Sequence, residues 1–401
     1  MEEYIKYQPI NNIGCLGCVS DGKSTLIEAL TNVKTQRHSL EKNNNISIKQ
    51  GYANMKIWNY KDKFYTTGAD KNISGNDENN FELVNHVSFV DCPGHKEFFI
   101  TLLSSLCLMD SVIIVIAINT PINKKSQLIH QLMAIKLLDI KNIIICLNKI
   151  DLVPKSTVLN RKKEVEDIMK IYDISPLIYI PTSFNKKIGL NYLIFHIMKN
   201  FNINSYKKKM NEDVLFLVSR TFDINKPGTE LDNVKGGVVG GTLLKGTLSL
   251  DDTIYIKPGI HELDISLKSK IISLKSEKEN LSTIIPGGLV GICTNIDPSY
   301  CKNDRLKGCI LSTNNNLEIV NEIKIKRCMI NLHIYDTWTP IINEKISLLL
   351  GVETCEAEII DIATDNIICK LSKKICIYPN YYIIIYISDP IKILGRGTLN
   401  F

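Results

Sequence analysis

The sequence predicts an α/β phosphate-loop domain followed by two all-β barrel domains, and three observations carry that expectation. As far as about Asn204, short apolar runs alternate with helix-like stretches, the pattern that builds a parallel sheet covered by helices. After Asp213 the runs become short, alternating or β-branched, and Gly, Pro and Asn-Asp punctuate them, which reads as all-β. Inside the first region, Gly17-Cys18-Val19-Ser20-Asp21-Gly22-Lys23-Ser24 satisfies G-x-x-x-x-G-K-[ST]. It stands directly behind an apolar run and ahead of the helically spaced Thr25-Leu26-Ile27-Glu28-Ala29-Leu30.

Taken in order, strands of the first domain are expected at 12–16, 87–90, 111–118, 142–147 and 177–180, each followed by a loop with residues of interest. Ligands bind at such loops, at the carboxyl ends of parallel strands. The polar run Ser205–Lys209 reads as a linker whose lysines are solvated. Strands of the second half are expected at 215–218, 253–256, 289–292, 324–332, 346–350, 367–371 and 382–387. Two barrels fit that length better than one, which sets the domains at 1–205, 211–320 and 321–401. The asparagine runs at 43–45 and 314–316 read as loop filler.

Composition narrows the class without naming the chemistry. With 401 residues, 44% of them hydrophobic and 22% charged, the chain can bury two or three cores and is not a stapled mini-scaffold. Its formal charge of +6 is too mild to identify a polyanionic partner. The longest apolar run, 112–118, is far short of the ~18 residues that span a bilayer, so no membrane association is expected. Met1-Glu2-Glu3-Tyr4 lacks the basic start and apolar stretch of a secretory signal. A cytoplasmic location is therefore expected, with the twelve cysteines reduced. Cys107, Cys146, Cys293, Cys309, Cys328 and Cys369 lie in apolar or strand-like contexts and are expected in the core.

The phosphate-loop chemistry assigns roles. Glycines let the backbone N–H groups from Cys18 through Thr25 wrap a phosphate at a helix N-terminus. Lys23 reaches the β- and γ-phosphates, and the Ser24 hydroxyl is a Mg2+ ligand. Asp91-Cys92-Pro93-Gly94 follows the strand at 87–90, so Asp91 can hold the Mg2+ shell and Gly94 can offer its N–H to the γ-phosphate. Asn148-Lys149-Ile150-Asp151 follows another buried strand. An ionised Asp151 accepts from guanine N1–H and from the 2-amino group, and adenine offers neither donor. Sites built on such bonds reject the analogue lacking them by about 10⁴ to 10⁵. The base is therefore expected to be guanine. Thr182-Ser183-Phe184, with Asn185, follows the strand at 177–180 and offers a backbone contact to guanine O6. His95, beside Gly94, stands where a water-orienting side chain is needed for in-line attack on the γ-phosphate.

These residues resemble the translational GTPases, and within them the gamma-subunit family of the heterotrimeric eukaryotic and archaeal translation initiation factor two. The stretches that carry the likeness are Arg37-His38-Ser39, Ile46-Ser47-Ile48, Gly51-Tyr52-Ala53, Val87 through His95 and Leu108-Met109-Asp110. Beyond them come Phe222-Asp223-Ile224-Asn225-Lys226-Pro227-Gly228-Thr229, Gly236 through Gly241, and Asp297-Pro298 through Leu306. The Asp-Ile-Asn-Lys-Pro-Gly-Thr segment is the most specific, since the GTPase motifs are shared with elongation factors and it is not. The likeness thins after about residue 350.

The resemblance implies an α/β P-loop GTPase domain followed by two all-β barrel domains. It implies that the GTP form binds methionyl initiator tRNA and delivers it to the small ribosomal subunit, with hydrolysis to GDP triggering release. It implies alpha and beta subunits, and GTPase-activating and nucleotide-exchange factors, as partners. It places Ser47 as a Mg2+ ligand beside Ser24 and Asp91, and Tyr52 near the aminoacylated tRNA end. Several departures accompany it: Ser20-Asp21 replaces the usual Asp-His, Ser47 replaces Thr, and Asn45 replaces Gly. Residues 59–86 contain none of the four cysteines that family members often carry, so no zinc is expected. The single C-x-x-C, Cys15 and Cys18, lies in the phosphate loop and reads as two small side chains. Two alternatives stay open: an elongation factor of the Tu or selenocysteine type, and a GTP- and tRNA-binding module with impaired hydrolysis.

Overall fold

Three strands, Asn11–Leu16, Ser111–Ala117 and Ile143–Asn148, are buried along their whole length and form the centre of a sheet, and their apolar stretches are Ile13–Leu16, Val112–Ala117 and Ile143–Leu147. Strands buried on both faces read as unbroken apolar runs, which is why the sequence shows them so plainly. The computed structural model describes residues 2–34, 51–66, 81–94, 96–122, 126–201, 205–260, 263, 265–277, 279–328, 338–378 and 382–399. The chain divides into two units, Met1–Ser205 and Tyr206–Phe401.

The first unit runs α1 (Glu2–Tyr7), β1 (Asn11–Leu16), α2 (Lys23–Thr31), β2 (Gly51–Tyr60), β3 (Lys63–Thr66), β4 (Glu82–Asp91), α3 (Phe99–Leu106), β5 (Ser111–Ala117), α4 (Ser126–Leu137), β6 (Ile143–Asn148), α5 (Lys155–Ile171), β7 (Ile178–Pro181) and α6 (Leu190–Asn200). Its sheet has the order β3-β2-β4-β1-β5-β6-β7. From β4 to β7 the strands are parallel, whereas β2 pairs antiparallel with both β3 and β4. The core packs Ile13, Leu26, Phe89, Val115, Ile144 and Leu193 together. Strands β2 and β3 are additions to the expected set. In β2 only Ala53, Met55 and Ile57 are buried and the residues between them face outward, so the period of two interrupts every apolar run.

The boundary between the two units falls at Ser205/Tyr206. Ser205–Lys209 is a short helix, α7, rather than a plain linker. Tyr206 is buried and its carbonyl accepts from the Met210 N–H, so one aromatic anchor orders a run that its lysines mark as polar. The strands that follow are β8 (Leu215–Phe222), β9 (Val238–Lys245), β10 (Leu248–Ser249), β11 (Thr253–Ile260), β12 (Ile265–Ser276), β13 (Glu279–Leu281), β14 (Thr283–Ile284), β15 (Gly287–Thr294) and β16 (Ile310–Ser312). The order β11-β16-β8-β9-β15-β12 closes on itself through a β11–β12 pairing. A second closed barrel holds β17 (Ile319–Cys328), β18 (Lys345–Leu350), β19 (Glu353–Ile362), β20 (Asn366–Cys376), β21 (Tyr382–Ser388) and β22 (Ile391–Leu399). Residues 329–332 of the expected strand lie outside the described residues.

Two smaller expectations change. Asparagines 314–316 form a turn in which Ser312 Oγ accepts the Asn314 N–H and Asn314 Oδ1 accepts the Asn316 N–H. The run at 43–45 lies outside the described residues. Cys146, Cys309 and Cys369 are buried, but Cys107, Cys293 and Cys328 are only half-buried. Cys293 takes an outward position of the β15 alternation, and Cys107 and Cys328 sit at element ends. Among the described residues no helix is long and apolar enough to cross a membrane.

Candidate nucleotide site

Between β1 and α2 the backbone folds into a loop that only glycine permits at two points. Gly17 has φ 148° and its missing Cβ would lie 2.3 Å from the Val115 carbonyl oxygen. Gly22, the N-cap of α2, has φ 106°, and a Cβ there would lie 2.4 Å from Asn148 Nδ2. The loop therefore presses against the ends of β5 and β6. Ser20 also takes a left-handed conformation, with φ 64°. Asp21 is buried, and its carboxylate accepts the Cys18 N–H at 2.9 Å while its own N–H donates to the Cys18 carbonyl at 3.2 Å. The Ser20-Asp21 departure is thus built into the loop: one residue makes the turn and the next staples it.

Lys23 donates its ammonium to the Gly17 and Cys18 carbonyls at 2.8 and 3.0 Å, which parks a buried cation at the mouth of the loop. Thr25 follows on the first turn of α2, half-buried. Ser24 Oγ donates to Asp91 Oδ2 at 2.7 Å, joining α2 to the end of β4. Two hard oxygen donors held side by side fit Mg2+. A Cβ on Gly94 would meet Gly17 O and Lys23 Nζ, each at 2.9 Å, so the Asp91-to-Gly94 loop meets the phosphate loop where a glycine is required. Ser47 and His95 lie outside the described residues. Tyr52 lies on β2 opposite Val90 and is 39% exposed.

The end of β6 supplies the second half of the site. Asn148 donates Nδ2–H to the Asp21 carbonyl at 2.8 Å and accepts the Phe184 N–H on Oδ1 at 3.3 Å, tying three loops with one amide. Lys149 is left-handed, with φ 66°, which turns the chain toward Asp151. A hydrogen bond from the Ser183 hydroxyl holds the Asp151 carboxyl below the usual carboxylate range, and the Lys186 ammonium, 3.7 Å away, acts in the same direction. Ser183 is buried, Phe184 packs into the core and Asn185 is exposed. The carboxylate is thereby held in its ionised form.

The structure adds two residues that sequence reasoning missed. Gln127 and Gln131 of α4 reach the phosphate loop, Gln127 Oε1 accepting the Val19 N–H at 3.1 Å and Gln131 Nε2–H donating to the Gly17 carbonyl at 2.7 Å. The available signal was two amides four residues apart in a helix whose buried positions besides Gln131 are the apolar Leu128, Leu132, Met133, Ala134, Ile135 and Leu137. Cys15, Cys18 and Cys92 are buried beside the loop. Burial pushes the Cys92 thiol up to about 12 and raises Cys15 well above the ordinary thiol range, so neither offers a thiolate. Among the described residues no group of three or more His, Cys, Asp and Glu side chains is placed to hold a metal.

A sequence profile described as the elongation factor Tu GTP binding domain matches residues 8–219. Over 341 residues the chain is 36% identical to the eukaryotic translation initiation factor 2 subunit gamma of Schizosaccharomyces pombe, covering 80% of this chain and 75% of that protein. The subunit of the same name from Encephalitozoon cuniculi is 35% identical over 330 residues, covering 77% of this chain and 73% of its own. Among solved structures, a bacterial selenocysteine-specific elongation factor superposes with a TM-score of 0.76 at 18% identity. That match spans 98% of this chain and 58% of the elongation factor, and at such identity it is a likeness of fold alone.

Proposed function

This chain belongs to the gamma-subunit family of eukaryotic translation initiation factor 2, within the translational GTPases, and from that premise we propose that its GTP form binds methionyl initiator tRNA and delivers it to the small ribosomal subunit. The tRNA part of this reading rests on the family, and the observation that supports its GTP-binding part is the convergence of Lys23, the Ser24–Asp91 pair, Gly94 and the Asp151–Ser183 pair on the loops at one end of the sheet. Lys23 and the N–H groups of Ser20 and of Gly22 to Thr25 hold the phosphates, while the Cys18, Val19 and Asp21 N–H groups, expected from the sequence to join them, are spent on Asp21, Gln127 and the Cys18 carbonyl. Asp151 and Asn148, with Ser183, Phe184 and Asn185 around them, hold guanine. Ser24 and Asp91, with Ser47, hold Mg2+, which when bound neutralises charge on the β- and γ-phosphates.

In hydrolysis, His95 orients a water for in-line attack on the γ-phosphorus. The new P–O bond forms as the bridge to the β-phosphate breaks, GDP leaves with the electron pair, and the water's proton passes to solvent with the phosphate. Loss of the γ-phosphate removes the contacts at Gly94 and Ser47, and the tRNA grip, in which Tyr52 takes part, falls with them. Alpha and beta subunits and activating and exchange factors complete the cycle.

Competition binding tests the assignment. Initiator methionyl-tRNA is expected to displace elongator methionyl-tRNA from the GTP-bound factor. Equal affinity for both would move the chain to the elongation-factor class. Single-turnover hydrolysis with ribosomes and activating protein tests His95: if His95→Ala hydrolyses as fast as the parent, its role is wrong. Metal analysis of the nucleotide-bound chain is expected to find Mg2+ and no stoichiometric zinc.

A further inference from the structure

Helix α4 grips the phosphate loop from behind with two side chains. Gln131 is 1% exposed, and its Nε2–H donates to the Gly17 carbonyl at 2.7 Å. That carbonyl also accepts from Lys23 Nζ at 2.8 Å. A carbonyl oxygen only accepts, so the amide nitrogen must be the group that faces it. The other end of the same amide, Oε1, is buried and has no partner among the described residues. An unpartnered buried oxygen is a cost that leucine or methionine would avoid. What the amide gives in return is the donor, and the donor goes to the one carbonyl that positions the phosphate-binding lysine.

Gln127, one turn earlier on the same face, holds the opposite kind of group. Its Oε1 accepts the Val19 N–H, and that nitrogen would lie 3.3 Å from a Cβ on Gly94. Val19 therefore sits where the phosphate loop meets the glycine that senses the γ-phosphate. The Lys23 ammonium meets that same Cβ position at 2.9 Å, but a P-loop lysine serves the β-phosphate as well as the γ-phosphate, so a diphosphate would use it too.

We propose that Gln131 and Gln127 are positioning residues for the nucleotide: Gln131 fixes the Gly17 carbonyl, and with it Lys23, for di- and triphosphate alike, and Gln127 fixes Val19 beside Gly94 for the triphosphate. This rests on the guanine-nucleotide reading above. Neither residue touches the reacting atoms, so each acts through the backbone it holds.

Stopped-flow dissociation of fluorescent GDP and of a fluorescent non-hydrolysable GTP analogue from the full chain tests this, beside the nucleotide-free melting temperature. Gln131→Met keeps the volume, removes the donor and removes the orphan oxygen, while Gly17 O keeps Lys23. It is expected to speed release of both nucleotides about threefold to tenfold, the worth of one buried hydrogen bond, with melting unchanged. Gln127→Leu, at a half-buried position, is expected to speed release of the analogue by about threefold relative to GDP. Unchanged release from Gln131→Met, or faster release that only tracks a lower melting temperature, would overturn the role of Gln131. An unchanged analogue-to-GDP ratio in Gln127→Leu would overturn that of Gln127. A parent chain that holds no guanine nucleotide at all would overturn the functional reading itself.

Discussion

Among the described residues, the buried polar side chains of Tyr206–Phe401 are all serine or threonine, whereas those of Met1–Ser205 include Asp21, Lys23, Asp91, Gln131, Asn148 and His86. Both units have ample apolar cores, built on residues such as Phe89 and Ile144 in one and Ile254 and Leu348 in the other. The difference lies in what each buries besides carbon. Charged and amide groups are costly to bury unless something holds them, so a fold keeps them where chemistry needs them. In the first unit Asp21, Lys23, Asp91 and Asn148 gather where the loops meet at one end of the sheet and Gln131 of α4 reaches them, whereas His86 lies back along β4 against the Ile5 carbonyl. The barrels carry no such cluster, and their tight places are backbone approaches: a Cβ on Gly241 would lie 1.9 Å from the Leu217 carbonyl.

The contrast breaks most visibly at Asp151. Asp151→Asn is expected to weaken GTP by up to about 10⁴-fold and to favour xanthosine triphosphate, measured by equilibrium binding of both nucleotides. Unchanged GTP affinity would remove the guanine assignment. In the barrels the large effect is on folding. Gly241→Val is expected to cost about 3 kcal/mol or more in denaturant unfolding, because backbone must move to admit the side chain. A neutral outcome would mean that the β8–β9 approach is looser than described.

A third test separates the units by pH. His86 is buried on β4 with Nδ1 against the Ile5 carbonyl at 2.9 Å, and burial lowers its pKa to about 4. The unfolded chain, with the group near 6.5, therefore binds the proton first as pH falls. Its contribution to stability is complete above about pH 6.5 and is lost as pH falls toward 4, which amounts to about 2 kcal/mol between pH 7 and pH 5. Replacing His86 by Asn is expected to flatten that part of the pH profile of the first unit, and an unaltered slope would contradict the assignment. The smallest effect belongs to the barrel side. Ser347→Ala removes a 2.6 Å hydrogen bond to Ser388 and is expected to cost about 1 kcal/mol in the same unfolding experiment.

What the sequence shows of this molecule follows the same division. Lys23, Ser24, Asp91 and Asp151 are legible because each falls in a short motif of fixed spacing beside a buried strand, and the structure brings those motifs to one end of the sheet. Strands β5 and β6 are legible because burial on both faces writes a nearly unbroken apolar run, and β1 because its short apolar stretch from Ile13 leads straight into the phosphate-loop motif. Strand β2 is not, since its outward residues are free to be polar. Gln127 and Gln131 are invisible for a different reason: their partners lie 108 and 114 residues away in the chain, so nothing local marks them. Helix α7 needed the burial of Tyr206, a tertiary fact, to outweigh three lysines.

The most direct test of the account is the affinity of the purified factor for methionyl initiator tRNA, measured by filter binding with a non-hydrolysable GTP analogue and again with GDP. The account predicts tight binding with the analogue and binding at least about tenfold weaker with GDP, a difference of about 1.4 kcal/mol or more. Equal affinity in the two states, or no binding in either, would contradict it.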